Sequence, residues 1–253
     1  MISFTPLFRM GLGLLVLIVL SFFATNRAED ATYSWTALQP ENDSRDDDER
    51  SYDEFISNQL VVAMNQNEPL FHHRLSFAKA SIKDLLSISA PFAELRFDAI
   101  KPLVLTDREK VILREYLARG GFVLLVEDTY PYPQNQLWSV KSWPVINFFM
   151  KELPATDPAF KMEKASDTHP VFHQYYQTRT IPPIQHEMEG NPNSPSHLLL
   201  TYRTHPSAFV VGRYYLISGN KWIAQPRPYT HVFSLDPKSY LFDVNIYIYA
   251  TMH

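Results

Sequence analysis

The sequence predicts an α/β fold with a mainly parallel sheet, on three local observations. Thr106-Asp107-Arg108-Glu109 is a capping box: the threonine oxygen takes one free amide at a helix start, and the glutamate three residues on takes another. Ile112, Leu113, Tyr116 and Leu117 then share one apolar face, and Gly120-Gly121 ends the helix where a left-handed residue is wanted. Phe122–Val126 follows as FVLLV, an unbroken apolar run of the kind buried on both faces of a helix-covered parallel sheet. With a short buried strand expected from Phe97 and Ile100–Leu105, broken by Pro102, the stretch Lys101–Asp128 reads as a βαβ unit.

The chain opens differently. Met10–Ala24 is 15 residues without a charge, preceded by Arg9 and followed by Glu29 and Asp30. That order is the order of an export signal, and the charge bias puts the N-terminus inside. The run is short for a full span, but Ile2–Phe8 lengthens it if Arg9 snorkels. Ala24 and Ala28 are poor cleavage sites, with Phe22 and Asn26 two residues before them. Residues 1–28 are therefore expected to be a signal anchor, with a cleaved signal peptide as the alternative. Residues 29–51 are expected to be a disordered acidic tether. Glu41–Glu54 carries eight acidic residues against Arg45 and Arg50 and has no apolar period. The α/β domain is then expected over residues 52–253, with order starting near Tyr52–Phe55.

Further along, residues 56–64 fit a strand or a short helix, and Asn67–Pro69 breaks the pattern. Leu75, Ala78, Ile82, Leu85 and Leu86 have helical spacing, which predicts a helix within Phe71–Ser87. Ser142–Leu153 predicts a helix with Ser142 as cap and Pro144 in the first turn. His197–Tyr202 and Tyr214–Ser218 are strand-like. Pro182, Pro183, Pro192, Pro195 and Pro206 mark a long irregular region. Val244, Ile246 and Ile248 alternate with Asn245, Tyr247 and Tyr249, a strand period.

Composition excludes several functions. There are no cysteines, which removes thiol nucleophiles, thiolate metal sites, disulfides and a cysteine-linked lipid anchor. The net charge is −4 with no basic block, so nucleic acid is not an expected partner. No Gly-x-Ser-x-Gly elbow, Gly-x-Gly-x-x-Gly turn or P-loop occurs, so neither serine-elbow chemistry nor a nucleotide cofactor is expected. No other cofactor is expected either.

Asp128 is the leading candidate residue. It directly follows FVLLV and so belongs at the carboxyl end of a strand, where open parallel sheets hold ligands. The plainer reading is that it caps the turn Asp-Thr-Tyr-Pro. Asp167, His169 and His173 form a second set that would suit a divalent metal together with Asp128. Against this, Pro170 forces His169 extended and spoils a simple helical pair, so no metal site is assigned. His72-His73 is only a dipeptide. The aromatic stretch Tyr130-Pro131-Tyr132-Pro133, with Trp138 and Trp143, either stacks a sugar or packs over the sheet edge.

Four separated pieces carry a family resemblance: LTDREKVILREYLARGGFVLLVED at Leu105–Asp128, DTHPVFHQYY at Asp167–Tyr176, VGRYYLIS at Val211–Ser218 and VNIYIYATMH at Val244–His253. From about Phe71 to His253 the chain resembles the bacterial family called domain of unknown function 4159. The resemblance implies a flavodoxin-like three-layer fold akin to class I glutamine amidotransferases, an envelope setting, and a helix at the C-terminus in spite of its strand period. It also implies that Arg213, Asn220 and Asn245 match family positions and join Asp128 as ligand-binding residues. Buried Asn245 has the alternative of bonding backbone. The chain departs from the family in having Glu127-Asp128 for two aspartates, and in Lys221-Trp222 after Asn220.

The expected function is a non-catalytic binding or assembly component of the bacterial envelope. It would be single-pass in the inner membrane with the C-terminal domain in the periplasm, or else secreted to the periplasm. The membrane and envelope proteins are its implied partners. The alternative is a hydrolase acting on a carbohydrate or cell-wall substrate, with Asp128 as base or metal ligand and Asp167 and His169 assisting, which requires the three to converge. A sensor of small molecules at the same edge is a third reading.

Overall fold

A computed structural model describes residues 33–98, 103–128, 144–166, 168–177, 198–213 and 237–252. In chain order the elements are β1 (Tyr33–Gln39), α1 (Asp47–Asn67), β2 (Leu75–Ser81), a 3-10 turn (Ile82–Asp84), β3 (Phe92–Asp98), α2 (Asp107–Ala118) and β4 (Phe122–Asp128). After these come α3 (Pro144–Asn147), a π-helical turn (Phe148–Glu152), α4 (Leu153–Thr156), β5 (Phe160–Lys164), a second 3-10 turn (Pro170–Phe172), β6 (Leu198–Tyr202), β7 (His205–Arg213) and α5 (Pro237–Met252).

The strands make one seven-stranded sheet in the order β2-β1-β3-β4-β7-β6-β5. From β2 to β7 every pairing is parallel; β6 alone runs against the rest, between β7 and β5. The α/β class with a mainly parallel sheet is therefore as the sequence predicts.

Both faces of the sheet are buried at β4, which explains the unbroken FVLLV. Phe122, Leu124 and Val126 point into one core with Trp35, Phe92, Phe209, residues of α1 (Leu60, Val61, Met64) and residues of α5 (Phe242, Val244, Ile246, Tyr247, Ile248). Val123 and Leu125 point into the other with Ala93, Leu95, Phe97, the α2 face (Ile112, Leu113, Tyr116, Leu117) and Val145–Leu153. Successive strand residues serve opposite faces, so helices lie on both sides of one sheet.

The βαβ unit is built as its residues dictate. Thr106 Oγ1 accepts the Glu109 N–H at 3.2 Å and the Glu109 carboxylate accepts the Thr106 N–H at 2.8 Å, completing the capping box. Gly120 takes φ +93°, the left-handed turn that ends α2. Tyr116 donates from its hydroxyl to Ala90 O at 2.7 Å, and its ring occupies the space a side chain at 121 would need. The strand before α2 is β3, Phe92–Asp98, which contains the expected Phe97; of the expected Ile100–Leu105, residues 100–102 lie outside the described residues and 103–105 form no strand. Leu103 and Leu105 are buried, but in the irregular approach to Thr106.

Three expectations are corrected. The acidic tether over 29–51 fails from residue 33 onward: β1 is an interior strand, with Trp35 fully buried. Asp46, Asp47 and Asp48 mark the start of α1, where negative charge opposes the helix dipole favourably. Order thus begins well before Tyr52, and residues 56–64 are helical within α1. The helix expected within Phe71–Ser87 is β2 followed by a 3-10 turn. Its spurious period arose because Ile82 and Leu85 belong to the turn, while the edge strand buries little beyond Leu75. Pro206 lies inside β7 rather than in a loop, opposite Thr201 and beside the register shift at Leu200–Thr201, where a missing amide is tolerated.

The C-terminal segment is a helix, α5. Phe242–Ile248 is buried on every side, so no single apolar face has to show and a strand-like alternation carries no information. The segments 1–28 and Tyr214–Ser218 and the cap Ser142 lie outside the described residues. Among the described residues no helix is long and apolar enough to cross a membrane.

Candidate functional site

Strand order reverses between β1 and β3. The chain goes outward from β1 to β2, then returns to the other side of β1 to place β3, β4 and β7. In open α/β sheets the crevice at the carboxyl ends of two such strands is the usual ligand position. A cleft opens there. It is a small cleft of about 30 Å³, lined by Ala37, Leu38 and Gln39 of β1, Asp43 and Arg45 of the following loop, Arg50, Asp53, Glu54 and Ser57 of α1, and Glu94 and Arg96 of β3.

The polar lining forms one network around Arg45, Asp53, Glu94 and Arg96, with Gln39 and Glu54 as a separate pair at the rim. Phe92, Glu94 and Arg96 alternate on the α1 side of β3, so the strand period turns two charged side chains toward the helix. Glu94, with 1% exposure, accepts from the Trp35 indole N–H, from Ser57 Oγ (3.0 Å) and from Arg96 Nε. Arg96 also donates to Ser57 Oγ at 3.1 Å, and faces Asp53 Oδ1 across 3.8 Å. Asp53 in turn accepts from Arg45 at 2.5 Å, and Arg45 grips Asp43 with Nε at 2.9 Å and a terminal nitrogen at 2.6 Å. At the rim, Glu54 accepts from Gln39 (2.9 Å) and Lys79 (2.9 Å). Burial pushes the Asp43 carboxyl up, but the hydrogen bonds and charge of Arg45, with Arg50 behind, outweigh this and hold it below the usual carboxylate range.

This arrangement suits holding a polar ligand better than attacking one. Ser57 is the hydroxyl in the lining, with 1% exposure, and its carboxylate partner Glu94 is already committed to Arg96 and Trp35. A nucleophile needs a base free to take its proton and a line of approach.

The structure brings two of the predicted residues together. Asp128 ends β4, in register with Asp98 of β3 on one side and Arg213 of β7 on the other. This row borders the cleft: it lies two residues beyond Arg96, which pairs with Val126. The Cα atoms of Arg96 and Asp128 are thus about 8 Å apart, from strand spacings of about 4.8 Å and rises of about 3.3 Å per residue.

His169 stands elsewhere. Its Nε2 lies 3.7 Å from Glu163 Oε1. Glu163 is in register with Leu199, Leu199 with Phe209, and Phe209 with Leu124. That is three strands from β4 and four residues short of Asp128, or about 20 Å along the sheet. His169 Nδ1 accepts the Val171 N–H at 3.2 Å as the cap of the second 3-10 turn, and its ring stands edge-on to Tyr249. Burial pushes its imidazole below the ordinary range, against the pull of Glu163. His173 closes the same turn, donating its N–H to Pro170 O at 2.9 Å. No group of three or more His, Asp or Glu placed to hold a metal occurs among the described residues.

Asn245 is fully buried and its amide bonds backbone. Its Oδ1 accepts from the Tyr175 and Tyr176 N–H groups (2.9 and 2.7 Å), and its Nδ2 donates to Phe172 O and Tyr176 O (2.7 and 3.0 Å). It fastens the segment after the 3-10 turn to α5. Asp167, Asn220 and the aromatic stretch Tyr130–Trp143 lie outside the described residues.

The sequence reading did not single out Arg45, Asp53, Ser57, Glu94 or Arg96. One signal was present: glutamate and arginine two apart within FAELRFD, a strand otherwise apolar enough to be buried, imply a buried charge pair.

No family model and no curated protein matches this chain.

Proposed function

We propose that the chain is a non-catalytic binding or assembly component of the bacterial envelope. Its N-terminal apolar segment would hold it to the inner membrane with the α/β domain on the periplasmic side. The fold in this reading is flavodoxin-like and close to that of class I glutamine amidotransferases; the run β2-β1-β3-β4-β7 follows the 2-1-3-4-5 strand order of that group. The observation that carries the reading is the cleft between β1 and β3, whose charged groups are engaged with one another rather than aligned for proton transfer. The absence of cysteine in the chain supports it too, since amidotransferase chemistry needs a thiolate.

The hydrolase reading keeps one favourable observation, the register of Asp98, Asp128 and Arg213 at the same edge. It loses His169 as a partner, because that imidazole sits against Glu163, whose strand position is about 20 Å along the sheet from Asp128.

The experiment is fractionation of the full chain expressed in a Gram-negative host, with protease added to spheroplasts, followed by a hydrolysis screen on cell-wall glycans. The expected result is retention in alkali-washed membranes, digestion of the domain from outside, and no turnover. A domain protected inside the cell overturns the placement. Turnover abolished by Asp128→Asn overturns the non-catalytic assignment in favour of the hydrolase.

A further inference from the structure

The two ends of the sheet are built differently. At one end β5 turns Lys161, Met162, Glu163 and Lys164 to solvent, and charge on an end strand keeps other strands off. At the other end stands β2, LSFAKAS, whose one charged residue is Lys79. Lys79 Nζ donates to Glu54 Oε2 of α1 at 2.9 Å, so its charge is already matched. β2 keeps its register with β1 throughout, and has neither a bulge nor a proline to blunt its outer side.

The ladder fixes which backbone groups of β2 face outward. The Tyr33 N–H donates to Arg74 O at 3.2 Å, and Tyr33 is in register with Leu75. Successive residues of a strand bond to opposite sides, so Arg74, Ser76, Ala78 and Ala80 bond to β1. Leu75, Phe77 and Lys79 then present N–H and C=O to the open side. The groups of Leu75 are occupied: its N–H donates to Asn65 Oδ1 at 3.0 Å, and its C=O accepts from Asn65 Nδ2 at 2.7 Å. The Asn65 amide stands in for one residue of a neighbouring strand. After Ser81 the chain turns away into the 3-10 turn Ile82–Asp84. No described residue takes the outward groups of Phe77 and Lys79. What remains open is symmetric about Ala78.

That symmetry selects the occupant. A second copy of β2, laid antiparallel with its Ala78 opposite this one, lets Phe77 of each copy exchange both backbone bonds with Lys79 of the other. Leu75 keeps Asn65. Ser76 meets Ala80, and the two Ala78 residues meet at the axis, where Cα atoms approach to about 4.5 Å. Small side chains suit that approach. An axis at Phe77 would need the Leu75 groups that Asn65 holds, and an axis at Lys79 would set two lysines directly opposite. The same surface is used on both copies, so the assembly closes at two. The charged outer side of β5 gives a fibre no second edge.

We propose that β2 is a self-pairing edge, through which two copies of the chain join into one continuous sheet with Ala78 on the two-fold axis. This goes beyond the envelope reading and does not depend on membrane placement.

The test is sedimentation equilibrium of the full chain across the micromolar range, in a density-matched detergent. The expected result is a dimer. Ala78→Glu sets two carboxylates against each other at the axis and is expected to weaken the dimer at least tenfold. The chain has no cysteine of its own, so introduced cysteines read the register. Ala78→Cys is expected to give a disulfide-linked dimer on mild oxidation, because the spacing at the axis lies within disulfide reach. Ser76→Cys and Ala80→Cys are each expected to stay unlinked alone and to link as the double variant. If Ala78→Glu does not fold, judged by circular dichroism, the cysteine series reports instead. A chain that is monomeric throughout the range overturns the proposal. So does a dimer indifferent to Ala78→Glu, or linkage at Ser76→Cys or Ala80→Cys alone that matches Ala78→Cys. Phe77 and Lys79 amides that resist hydrogen exchange in the Ala78→Glu monomer also overturn it, since another segment then covers the edge. Each of these failures leaves the envelope reading standing, because fractionation decides that separately.

Discussion

The carboxylate of Glu109 accepts the backbone N–H of Glu41 at 2.8 Å. The residue that caps α2 therefore also fastens the loop leading from β1 to α1, across 68 residues of sequence. Glu109 has only 1% exposure, so its removal leaves at least two amides without this acceptor. Glu109→Ala is expected to cost about 2–3 kcal/mol, a lost cap plus an unsatisfied buried group. Glu109→Gln, which keeps an acceptor, is expected to cost less. Urea unfolding followed by tryptophan fluorescence checks both. An alanine variant within about 0.5 kcal/mol of wild type, the range of ordinary surface changes, contradicts the strap.

Glu94 and Arg96 invite a second comparison. Glu94→Ala removes the closest carboxylate partner of a guanidinium with 5% exposure and is expected to destabilise by about 3–5 kcal/mol. Glu94→Leu with Arg96→Met removes both charges and is expected to recover at least half of that loss, because packed apolar pairs often replace buried ion pairs. A double variant no better than Glu94→Ala would mean that the bonds to Trp35 and Ser57 matter more than the ion pair.

Asn245 is a third case. Asn245→Ala is expected to lower stability by about 2–4 kcal/mol, since four hydrogen bonds to backbone go at once. Asn245→Asp keeps the two acceptor contacts and loses both donors, while adding a buried charge. It is expected to be no better than alanine above pH 7. Thermal melts of the two variants settle the order.

Two of the described groups carry shifts that bear on the acid side of the pH profile. His169 titrates lower folded than its ordinary 6.5, so the folded chain holds fewer protons than the unfolded one just below that pH. Its contribution is complete above about pH 6.5 and fades as pH falls below it. Asp43 is depressed below 3.8, so its contribution persists above that value and is lost on further acidification. His169→Asn, which keeps a capping side chain, is expected to flatten the upper window. Arg45→Gln is expected to shrink the lower one. Unfolding midpoints from pH 3 to pH 8 for each variant show whether the two windows separate in this way.

The parts of the fold visible in the sequence are those whose signals are local. The capping box, the Gly120 stop and FVLLV each depend on neighbours within a few residues, and each stands as expected. Where the signal depends on distant partners, the sequence misleads. β1 is short and buried through contacts made much later in the chain, and the acidic residues behind it suggested solvent. α5 alternates like a strand and is helical because every side of it is covered. Asp128 stands at the carboxyl end of β4, as its place after FVLLV implies, and Arg213 is beside it in register. The network of Arg45, Asp53, Glu94 and Arg96 was invisible because its members become neighbours only when β1, β3 and α1 meet.

The position of β1 has a consequence for synthesis. It is the first described strand to leave the ribosome, yet its partners β2 and β3 are made after it, and Thr36 must wait for Ala93. During that interval a seven-residue strand carrying Trp35 has both edges bare, the kind of segment that seeks strands of other chains. Seven residues beyond its end begins the acidic run Asp46–Glu49. Like charges flanking a sticky strand keep nascent copies apart. The same acidic residues that later begin α1 thus act first as a guard on the unfinished sheet.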